Sequence, residues 1–458
     1  MEGKRGGLTS HRPARRRYAR PGAPIPLWEN EGHPGPIGPS FPESTQMPQF
    51  SSGDDFLSAA AARSLILDSL SPAGGWERVA IRAALGRVLA HDVRAPCDVP
   101  AHDNSAMDGY AVRAADLSSD AEATLAVTGT ALAGHPFPGA VGTGEAVRIM
   151  TGAPIPQGAD TVVMQEAARR EQEDVFIPPG QKKGQNVRRA GEDLAAGSIA
   201  LAAGRRCGPA ELGLIASLGI AEVTMRRRLR VAFFSTGDEL ASIGQPLAAG
   251  KIYDSNRYTL FGALSRLGCE LLDMGVVPDD PAALEAAFVD ASRAADVIIT
   301  SGGVSVGDAD FIRDMMARLG EVSFWKLAIK PGRPMAFGRI GGAVLFGLPG
   351  NPVAVMVSFY QFVQDALLTL MGVAPLPPAG RFAVRAGFAM RKPAGRVEYL
   401  RGRLQHDGAG PCVTLAGAQG SGVLRSMSEA DCFIILPEDC TGVQAGDIVS
   451  VQPFNGLA

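Results

Sequence analysis

Three apolar runs in the middle of the chain each lead into a pair of carboxylates. In chain order the pairs are Asp238 with Glu239, Asp279 with Asp280, and Asp308 with Asp310. Ligands of open parallel sheets bind beyond the carboxyl ends of the strands, so we expect the pairs at one edge of a sheet. Crowded carboxylates raise each other's pKa, and a hard cation such as Mg²⁺ relieves that repulsion. One carboxylate alone would more often be a helix N-cap or a solvated loop charge, but acids after three successive strands favour a metal site.

Two glycine-containing segments lie near these carboxylates. Gly302 and Gly303 follow the third apolar run, and residues 347–352 (Gly-Leu-Pro-Gly-Asn-Pro) separate an apolar run from a long helical segment. Glycine lets backbone amides approach a phosphate, and a helix N-terminus adds a favourable dipole. Pro352 suits the first turn of such a helix. Phosphate binding and a plain structural turn are both open interpretations of these segments.

Basic residues follow in residues 325–330, Trp-Lys-Leu-Ala-Ile-Lys. Lys326 and Lys330 alternate with Leu327 and Ile329, which predicts one strand with both lysines on the same face. Arg333 lies three residues after Lys330. A solvated edge strand is the alternative, but lysines beside carboxylates are what a bound polyphosphate and a metal ion require. The residues therefore indicate phosphate chemistry with a divalent metal.

Residues 100–111 and 150–154 are dense in hydrogen-bonding side chains but lie outside this central region. They include Asp103, Asn104, Ser105 and Asp108. Such a stretch can be an elaborate turn. It can also form a second wall over a cleft.

The pattern of strands and helices expected around these residues indicates a multidomain α/β plus β protein. Apolar runs separated by helices indicate a parallel sheet covered on both faces. We expect these parts: a disordered basic Pro/Gly-rich tail (1–52), a helical linking and dimerisation domain (53–95 and 191–226), a β-rich insertion domain (96–190), a central α/β domain (227–376) and a C-terminal β-domain (377–458).

Composition excludes several classes of protein. The chain has 458 residues, 46% of them hydrophobic, with a net charge of −3. That length fits about three domains, and the charge offers no basic field for nucleic acid. Single cysteines without a CxxC pair argue against zinc and disulfides, so we expect a cytoplasmic protein. Gln361, Gln364 and Asp365 interrupt the apolar stretch 353–371, which predicts a helix with one buried face and no membrane span.

Seven segments, in order, resemble the molybdopterin molybdenumtransferase family, which includes the C-terminal domain of gephyrin. They are 103–111, 148–154, 235–240, 252–257, 300–310, 326–334 and 347–352. The resemblance covers about residues 53–457. It implies an elongated homodimer of four-domain subunits whose α/β domain is similar to molybdopterin adenylyltransferases. It also implies that molybdenum from molybdate enters adenylylated molybdopterin with Mg²⁺, which releases AMP and forms molybdenum cofactor.

The resemblance also implies roles for individual residues. The catalytic residues would be Asp108, Thr151, Glu239, Asp279 and Asp310, with Asp279 and Asp310 linked to the metal. Asp108 and Thr151 would reach the site across the dimer interface. The substrate-binding residues would be Gly302, Gly303, Ser305, Lys326, Lys330, Arg333, Pro349, Pro352, Arg401 and Ser421.

Two departures and two rival functions accompany the resemblance. The basic tail has no counterpart in the usual bacterial form, and Arg333 stands where lysine is common, which changes donor geometry. A molybdopterin adenylyltransferase would favour Thr-Gly-Gly-Thr-Gly where this chain has Ser-Gly-Gly-Val-Ser. A gephyrin-like, non-catalytic scaffold is the other rival. Expected partners are a docking molybdopterin adenylyltransferase and acceptor apoenzymes, with no nucleic acid and no membrane.

Overall fold

The computed structural model describes residues 56–303 and 310–454, except for the side chains of Asp310 and Phe311. These residues all fall within one compact unit of the chain. The expected tail (1–52), Ser305 and Asp308 lie outside the described residues.

The first part of the fold contains a helical and a β-rich portion. In chain order its elements are α1 (Ala59–Asp68), β1 (Trp76–Ala80), β2 (Val93–Arg94), β3 (Asn104–Ser105), β4 (Gly109–Val112), β5 (Ala123–Ala131), β6 (Glu145–Ile149), β7 (Thr161–Met164), β8 (Arg169–Glu171), β9 (Asp174–Ile177), β10 (Val187–Arg188), β11 (Ile199–Leu201), α2 (Pro209–Ser217) and β12 (Glu222–Arg226). One six-stranded sheet, in the order β7-β4-β6-β5-β9-β8, forms the β-rich insertion.

The segments predicted to be helical, 53–95 and 191–226, contain strands as well as helices. The Ser58 hydroxyl caps α1 by accepting from the Ala61 amide, and α2 begins at Pro209 as the sequence predicts. Between them β1 pairs with β12, and β2 pairs with β11. These pairings join segments more than 100 residues apart, so the spacing of apolar residues along either segment does not show them.

The central part is an α/β domain. In chain order its elements are β13 (Arg230–Thr236), β14 (Leu240–Ala241), β15 (Ile252–Tyr253), α3 (Asn256–Leu267), β16 (Glu270–Val277), α4 (Pro281–Ala294), β17 (Val297–Ser301), α5 (Asp310–Leu319), β18 (Gly320–Lys326), β19 (Ile329–Lys330), β20 (Pro334–Ile340), β21 (Ala343–Leu348), α6 (Pro352–Ser358) and α7 (Gln364–Leu370). A π-helical turn, Phe359–Val363, joins α6 to α7.

The central sheet has the strand order β16-β13-β17-β21-β20-β18. The first four strands are parallel, as predicted. Strands β20 and β18 extend the sheet and are antiparallel to their neighbours. The reason is local, because only Gly341 and Gly342 separate β20 from β21, and a two-residue connection permits only an antiparallel pair.

Both faces of this sheet are covered, which explains the continuous apolar runs. Val231 and Phe233 belong to one buried cluster, with α3 and the 352–370 helix. Ala232 and Phe234 belong to the other, with α4 and α5. Successive side chains of a strand point to opposite faces, so a strand buried on both sides needs apolar residues at every position.

The last part is a β-domain. In chain order its elements are β22 (Phe382–Ala386), β23 (Met390–Arg391), β24 (Val397–Asp407), β25 (Gly410–Leu415), α8 (Arg425–Ser428), β26 (Cys432–Leu436), β27 (Gly442–Val443) and β28 (Ile448–Pro453). Its main sheet runs β19-β24-β25-β22-β28-β26, and an additional pairing of β24 with β26 closes it into a barrel.

The prediction of one strand over residues 325–330 is wrong. Strand β18 ends at Lys326, which pairs with Pro334 in the central sheet. Lys330 lies on β19, which pairs instead with β24 of the barrel. The two lysines therefore belong to different sheets and do not share one face of a single strand.

One helix among the described residues, Pro352–Leu370, is long and apolar enough to cross a membrane, and 78% of it is buried inside the protein. It packs in the same cluster as Tyr399 and Phe433 of the barrel and Phe346 of the central sheet. The prediction of one buried face is therefore too limited. The helix is buried on more than one face, because both the sheet and the barrel cover it.

Candidate active site

A cavity of about 930 Å³ opens at the carboxyl ends of the parallel strands. We call it the cleft. Its walls come from both the α/β domain and the barrel, and its lining includes Glu239, Asp279, Gly302, Gly303, Lys330, Arg333, Pro349, Pro352, Arg396 and the loop 419–422. The position of the cleft is the one expected for an open parallel sheet.

Gly302 and Gly303 bring bare backbone to the floor of the cleft. Both have left-handed φ angles, +97° and +66°, which disfavour other residues. A Cβ at Gly302 would lie 2.5 Å from the Thr236 carbonyl oxygen. A side chain there would clash with the neighbouring strand, so the tight turn after β17 requires glycine.

The turn at residues 349–352 forms the adjacent wall. Asn256 Nδ2 donates to the Gly350 carbonyl oxygen (2.6 Å) and to Ser301 Oγ (2.8 Å), which ties the turn to the ends of α3 and β17. Pro352 then begins α6. Asn256 is 8% exposed, and nothing in the local pattern separates it from any other residue that starts a helix.

The acidic side of the cleft contains Glu239 and Asp279. The Asp279 amide donates to Asp238 Oδ1 at 3.3 Å. Partial burial raises the pKa of Asp279, and the charges of Asp238 and Glu239 raise it further. The expected convergence of carboxylates therefore holds for these three residues.

Asp280 is a helix N-cap, which was the alternative to a metal site for a single carboxylate. Its side chain accepts from the Ala283 amide at 2.9 Å and so caps the N-terminus of α4. Its charge also favours the positive end of that helix. Asp280 is not among the residues that line the cleft.

Within the described parts of the chain, no three His, Cys, Asp or Glu side chains group as ligands of one metal ion. Mg²⁺ does not require such a group, because one or two carboxylates and substrate phosphates commonly hold it. Asp310 is the first residue of α5, and its side chain lies outside the description. The Asp279–Asp310 metal pair therefore stays a prediction.

The basic side of the cleft contains Lys330, Arg333 and Arg396. Lys330 Nζ lies 3.2 Å from Glu398 Oε1, and the Glu398 side chain is 2% exposed while that of Lys330 is 51% exposed. The buried carboxylate therefore orients the lysine at the cleft surface. The Arg333 guanidinium lies 4.3 Å from the centre of the Phe56 ring, a cation–π distance.

Arg396 was missed by the sequence analysis. It precedes β24 in a segment without periodic apolar residues, so the pattern gives it no assigned face. Only the pairing of β24 with β19 brings it beside Lys330.

Lys326 and Arg401 lie outside the cleft lining. Lys326 ends β18 within the central sheet. Arg401 is fully buried in the barrel and donates to the carbonyl oxygens of Ala418 and Gly420. Ser421 does line the cleft, and its carbonyl oxygen accepts from the Val353 amide at 3.0 Å, which seats the barrel loop on the start of α6.

Asp108 and Thr151 lie together in the β-rich insertion, and neither lines the cleft. Asp108 Oδ1 accepts from the Thr151 amide (2.8 Å) and from its hydroxyl (2.7 Å). These hydrogen bonds lower the pKa of Asp108, and the hydrogen bond from the Thr151 backbone amide has the largest effect. The carboxylate is therefore ionised and held at the surface of its own domain.

Three family models match the chain. The N-terminal region of MoeA (domains I and II) matches residues 57–219, a probable molybdopterin-binding domain matches 232–369, and the C-terminal region of MoeA (domain IV) matches 383–454. The matches follow the order of the structural parts.

Curated relatives and solved structures agree with these models. A molybdopterin molybdenumtransferase from Haemophilus influenzae is 44% identical over 86% of this chain and 98% of its own length. Molybdopterin molybdenumtransferase 2 of Mycobacterium tuberculosis is 39% identical over 81% and 94%. The crystal structure of a molybdopterin biosynthesis moeA protein from Pyrococcus horikoshii OT3 matches with a TM-score of 0.75 and 28% identity, over 87% of this chain and 100% of that one. The resemblance and the multidomain fold class inferred from the sequence are confirmed, and the chain belongs to the molybdopterin molybdenumtransferase family of enzymes.

Proposed function

We propose that the chain inserts molybdenum from molybdate into adenylylated molybdopterin, releasing AMP and forming molybdenum cofactor. The observation that carries the proposal is the cleft, in which Glu239 and Asp279 stand with Lys330, Arg333 and Arg396. Its volume, about 930 Å³, is within the range of about 300–1,000 Å³ for small-molecule sites. A nucleotide-linked, multiply anionic substrate needs both size and fixed positive charge.

Each group has a task in this proposal. Lys330, Arg333 and Ser421 bind the oxygens of phosphate and molybdate, and Arg396 adds to the positive field. Gly302 and Gly303 allow the substrate to lie against the backbone. Pro349 and Pro352 shape the wall rather than react. Lys326 and Ser305 remain expected substrate contacts by resemblance to the family.

The acidic residues fit a divalent cation. Partial burial raises the pKa of Asp279, and repulsion from Asp238 and Glu239 raises it further; a bound cation would relieve that repulsion. We infer that Asp279 and Asp310 hold Mg²⁺ with substrate oxygens, and that Glu239 contributes from the same side. When bound, Mg²⁺ would offset negative charge on the phosphoanhydride.

The proposal includes a homodimer. Asp108 and Thr151 are hydrogen-bonded to each other in the β-rich insertion, and neither lines the cleft of its own chain. We infer that they complete the cleft of the partner subunit. We also expect this reaction in the cytoplasm, where a molybdopterin adenylyltransferase would deliver the substrate and acceptor apoenzymes would take the product.

The test supplies purified protein with adenylylated molybdopterin, Mg²⁺ and molybdate, and measures AMP release and active cofactor. Asp279→Asn and Asp310→Asn should each lower turnover by about 100-fold or more, because each weakens the proposed Mg²⁺ site that would offset negative charge at the reacting phosphate. Asp273→Asn is the matched control, since Asp273 lies on β16 before Asp279 but pairs with Arg257 outside the cleft.

Both Asn variants should elute at the same size as the unmodified protein. Full activity in both would show that the acidic site is wrongly assigned. No activity in the unmodified protein with any divalent metal would favour a non-catalytic scaffold.

A further inference from the structure

Phe56 is an exposed aromatic residue that contacts a cation of the cleft. It lies just before α1, and it is 44% exposed. The guanidinium of Arg333, which lines the cleft, lies over the Phe56 ring at 4.3 Å from the ring centre. Phe56 therefore belongs to the surroundings of the cleft, although it is far from the other cleft residues in the sequence.

Backbone hydrogen bonds hold Phe56 in this place through its neighbour, Leu57. Leu57 forms a parallel bridge with Leu327. The Leu57 amide donates to the Lys326 carbonyl oxygen (2.9 Å), and the Leu57 carbonyl oxygen accepts from the Ala328 amide (2.8 Å). The backbone next to Phe56 is thus bonded on both sides of Leu327.

The segment that Leu57 contacts also carries Arg333. The Leu327 amide donates to the Arg333 carbonyl oxygen at 2.7 Å, which closes residues 327–333 into a loop. Leu327 is 0% exposed, so the base of the loop is fixed in the core. Phe56 and Arg333 therefore extend from one hydrogen-bonded unit, and the contact between their side chains is a second link within that unit.

The contact with Phe56 leaves the donors of Arg333 free. Within the part of the chain that the structure describes, the Arg333 side chain contacts the Phe56 ring but pairs with no carboxylate or other acceptor. Arginine stacks on aromatic faces through its own plane, and its N–H donors point outward within that plane. The ring therefore restrains the guanidinium without occupying a donor.

We propose that Phe56 is a positioning residue that fixes the Arg333 guanidinium so that its donors bind a phosphate oxygen of the substrate. Phe56 is not among the residues that line the cleft, so it acts through Arg333 and not on the substrate itself. A long, flexible side chain loses rotamer freedom when it binds a ligand, and the ring reduces that loss. The proposal rests on the function proposed above, in which Arg333 binds oxygens of the anionic substrates.

The experiment is a double-mutant cycle of Phe56→Leu, Arg333→Met and the variant with both changes. Leucine keeps an apolar side chain but removes the aromatic ring, and methionine keeps an unbranched side chain but removes the cation. Calorimetric titration with inorganic pyrophosphate measures anion affinity. Steady-state kinetics measure KM and kcat for adenylylated molybdopterin. Phe56→Tyr keeps the ring and tests for rescue.

We expect Phe56→Leu to weaken pyrophosphate binding by about 3-fold and to raise KM by a similar factor, as for loss of a cation–π contact at an exposed site. The value of kcat should stay the same, because the contact acts on binding and not on the reacting atoms. Phe56→Tyr should match the unmodified protein. In the Arg333→Met background, Phe56→Leu should cause no further change, because the ring acts only through the guanidinium.

Phe176→Leu is the matched control. The Arg169 guanidinium lies over the Phe176 ring at 4.0 Å from the ring centre, and Arg169 also pairs with Glu122. This pair lies on β8 and β9 of the β-rich insertion, and neither residue lines the cleft. The control variant should therefore keep the affinity and the KM of the unmodified protein.

Two results would overturn the positioning role. One is an unchanged affinity for pyrophosphate in Phe56→Leu. The other is an equal loss of affinity from Phe56→Leu with arginine or with methionine at position 333, because Phe56 would then act through the backbone of the loop and not through the guanidinium. Thermal denaturation accompanies both measurements, and Phe56→Leu should melt at the temperature of the unmodified protein because Phe56 is exposed.

The two proposals can fail separately, because the pyrophosphate titration requires no turnover. Coupling between Phe56 and Arg333 in a protein that transfers no molybdenum would keep the positioning role and overturn the proposed function. Normal transfer with additive effects of the two substitutions would keep the proposed function and overturn the positioning role. A protein that does not bind pyrophosphate would overturn the role of Phe56 together with that of Arg333.

Discussion

Asp279 is a carboxylate of the cleft with a raised pKa. Partial burial raises this pKa, and the charges of Asp238 and Glu239 raise it further. A carboxylate with a raised pKa takes up a proton at a higher pH than an ordinary aspartate. An activity that needs the ionised form is therefore lost as the pH falls through that raised pKa.

Asp238→Asn tests this coupling. It removes one negative charge but keeps an oxygen that can accept from the Asp279 amide, so the pKa of Asp279 should fall toward its ordinary value. The acidic limb of kcat/KM for molybdate should then move to lower pH. The folded protein should also gain stability above the original pKa, because the native state loses a repulsion that the unfolded chain does not have.

The measurement is a pH–rate profile of the unmodified protein, Asp238→Asn and Asp273→Asn. Asp273 pairs with Arg257 and is not among the groups that shift the pKa of Asp279, so its variant should keep the original limb. An acidic limb that stays in place in Asp238→Asn would show that a group other than Asp279 controls it.

Individual residues show what a sequence can and cannot reveal about a site. Glu239, Asp279, Gly302 and Lys330 stand next to strand ends, and their types and spacing indicated a cleft that the structure contains. For Arg396, neither the residue type nor the local spacing indicated a place in the cleft. The pattern gives no indication that Arg401 is fully buried, because burial depends on which distant loop folds over the strand.

At the scale of elements, the strands of the parallel sheet were predictable, but the division of one short segment between two sheets was not. The parallel order of β16, β13, β17 and β21 follows from apolar runs separated by helices. The division of residues 325–330 between two sheets does not, since β19 pairs with a strand about 70 residues later. Alternation in a short segment shows which residues share a face only if the segment is one strand.

The junction between β12 and the central sheet depends on a buried ion pair. Asp296, 4% exposed, accepts from Arg227 Nη1 and Nη2 at 2.7 Å each and from the Arg230 amide at 2.8 Å. Asp296→Asn leaves the arginine without its charge partner and should lower the free energy of unfolding by about 3 kcal/mol. Urea denaturation of the α/β domain measures the change.

Glu222→Gln is the control for that experiment. Glu222 pairs with Arg78 on the neighbouring strands β12 and β1, with side chains 52% and 70% exposed. Solvent screens such a pair, so its loss should change stability by less than about 0.5 kcal/mol. Equal effects from the two variants would contradict a special role for the buried pair.

At the scale of the whole molecule, the order of the parts was predictable, but the contact between the barrel loop and the α/β domain at the cleft was not. Composition and periodicity indicated an α/β domain followed by a β-domain, and both are present. No local pattern showed that residues 419–422 of the barrel meet the turn at 349–352. A site built between domains depends on tertiary contacts that a single sequence does not display.

Mixed dimers test whether sites are shared between subunits. Asp108→Asn and Asp279→Asn should each inactivate their own homodimers. If Asp108 serves the partner's cleft, a mixed dimer keeps one intact site, and unfolding and refolding an equal mixture should restore about a quarter of full activity by random pairing.

The same mixture without refolding is the control, and it should stay inactive while subunits do not exchange. Sedimentation analysis measures whether each preparation is dimeric. If the refolded mixture also stays inactive, Asp108 and Asp279 act within one chain, and the shared site is wrong.

The pairing of β19 with β24 joins the α/β domain to the barrel through backbone hydrogen bonds, and the hydrogen bond from the Val353 amide to the Ser421 carbonyl oxygen is a second connection. These two connections restrain the distance between the α/β domain and the barrel at the cleft. We therefore expect a preformed binding site, with no closure of the two domains around the ligand. Binding then costs little conformational entropy, and the rate of capture is set by diffusion and the electric field at the cleft mouth.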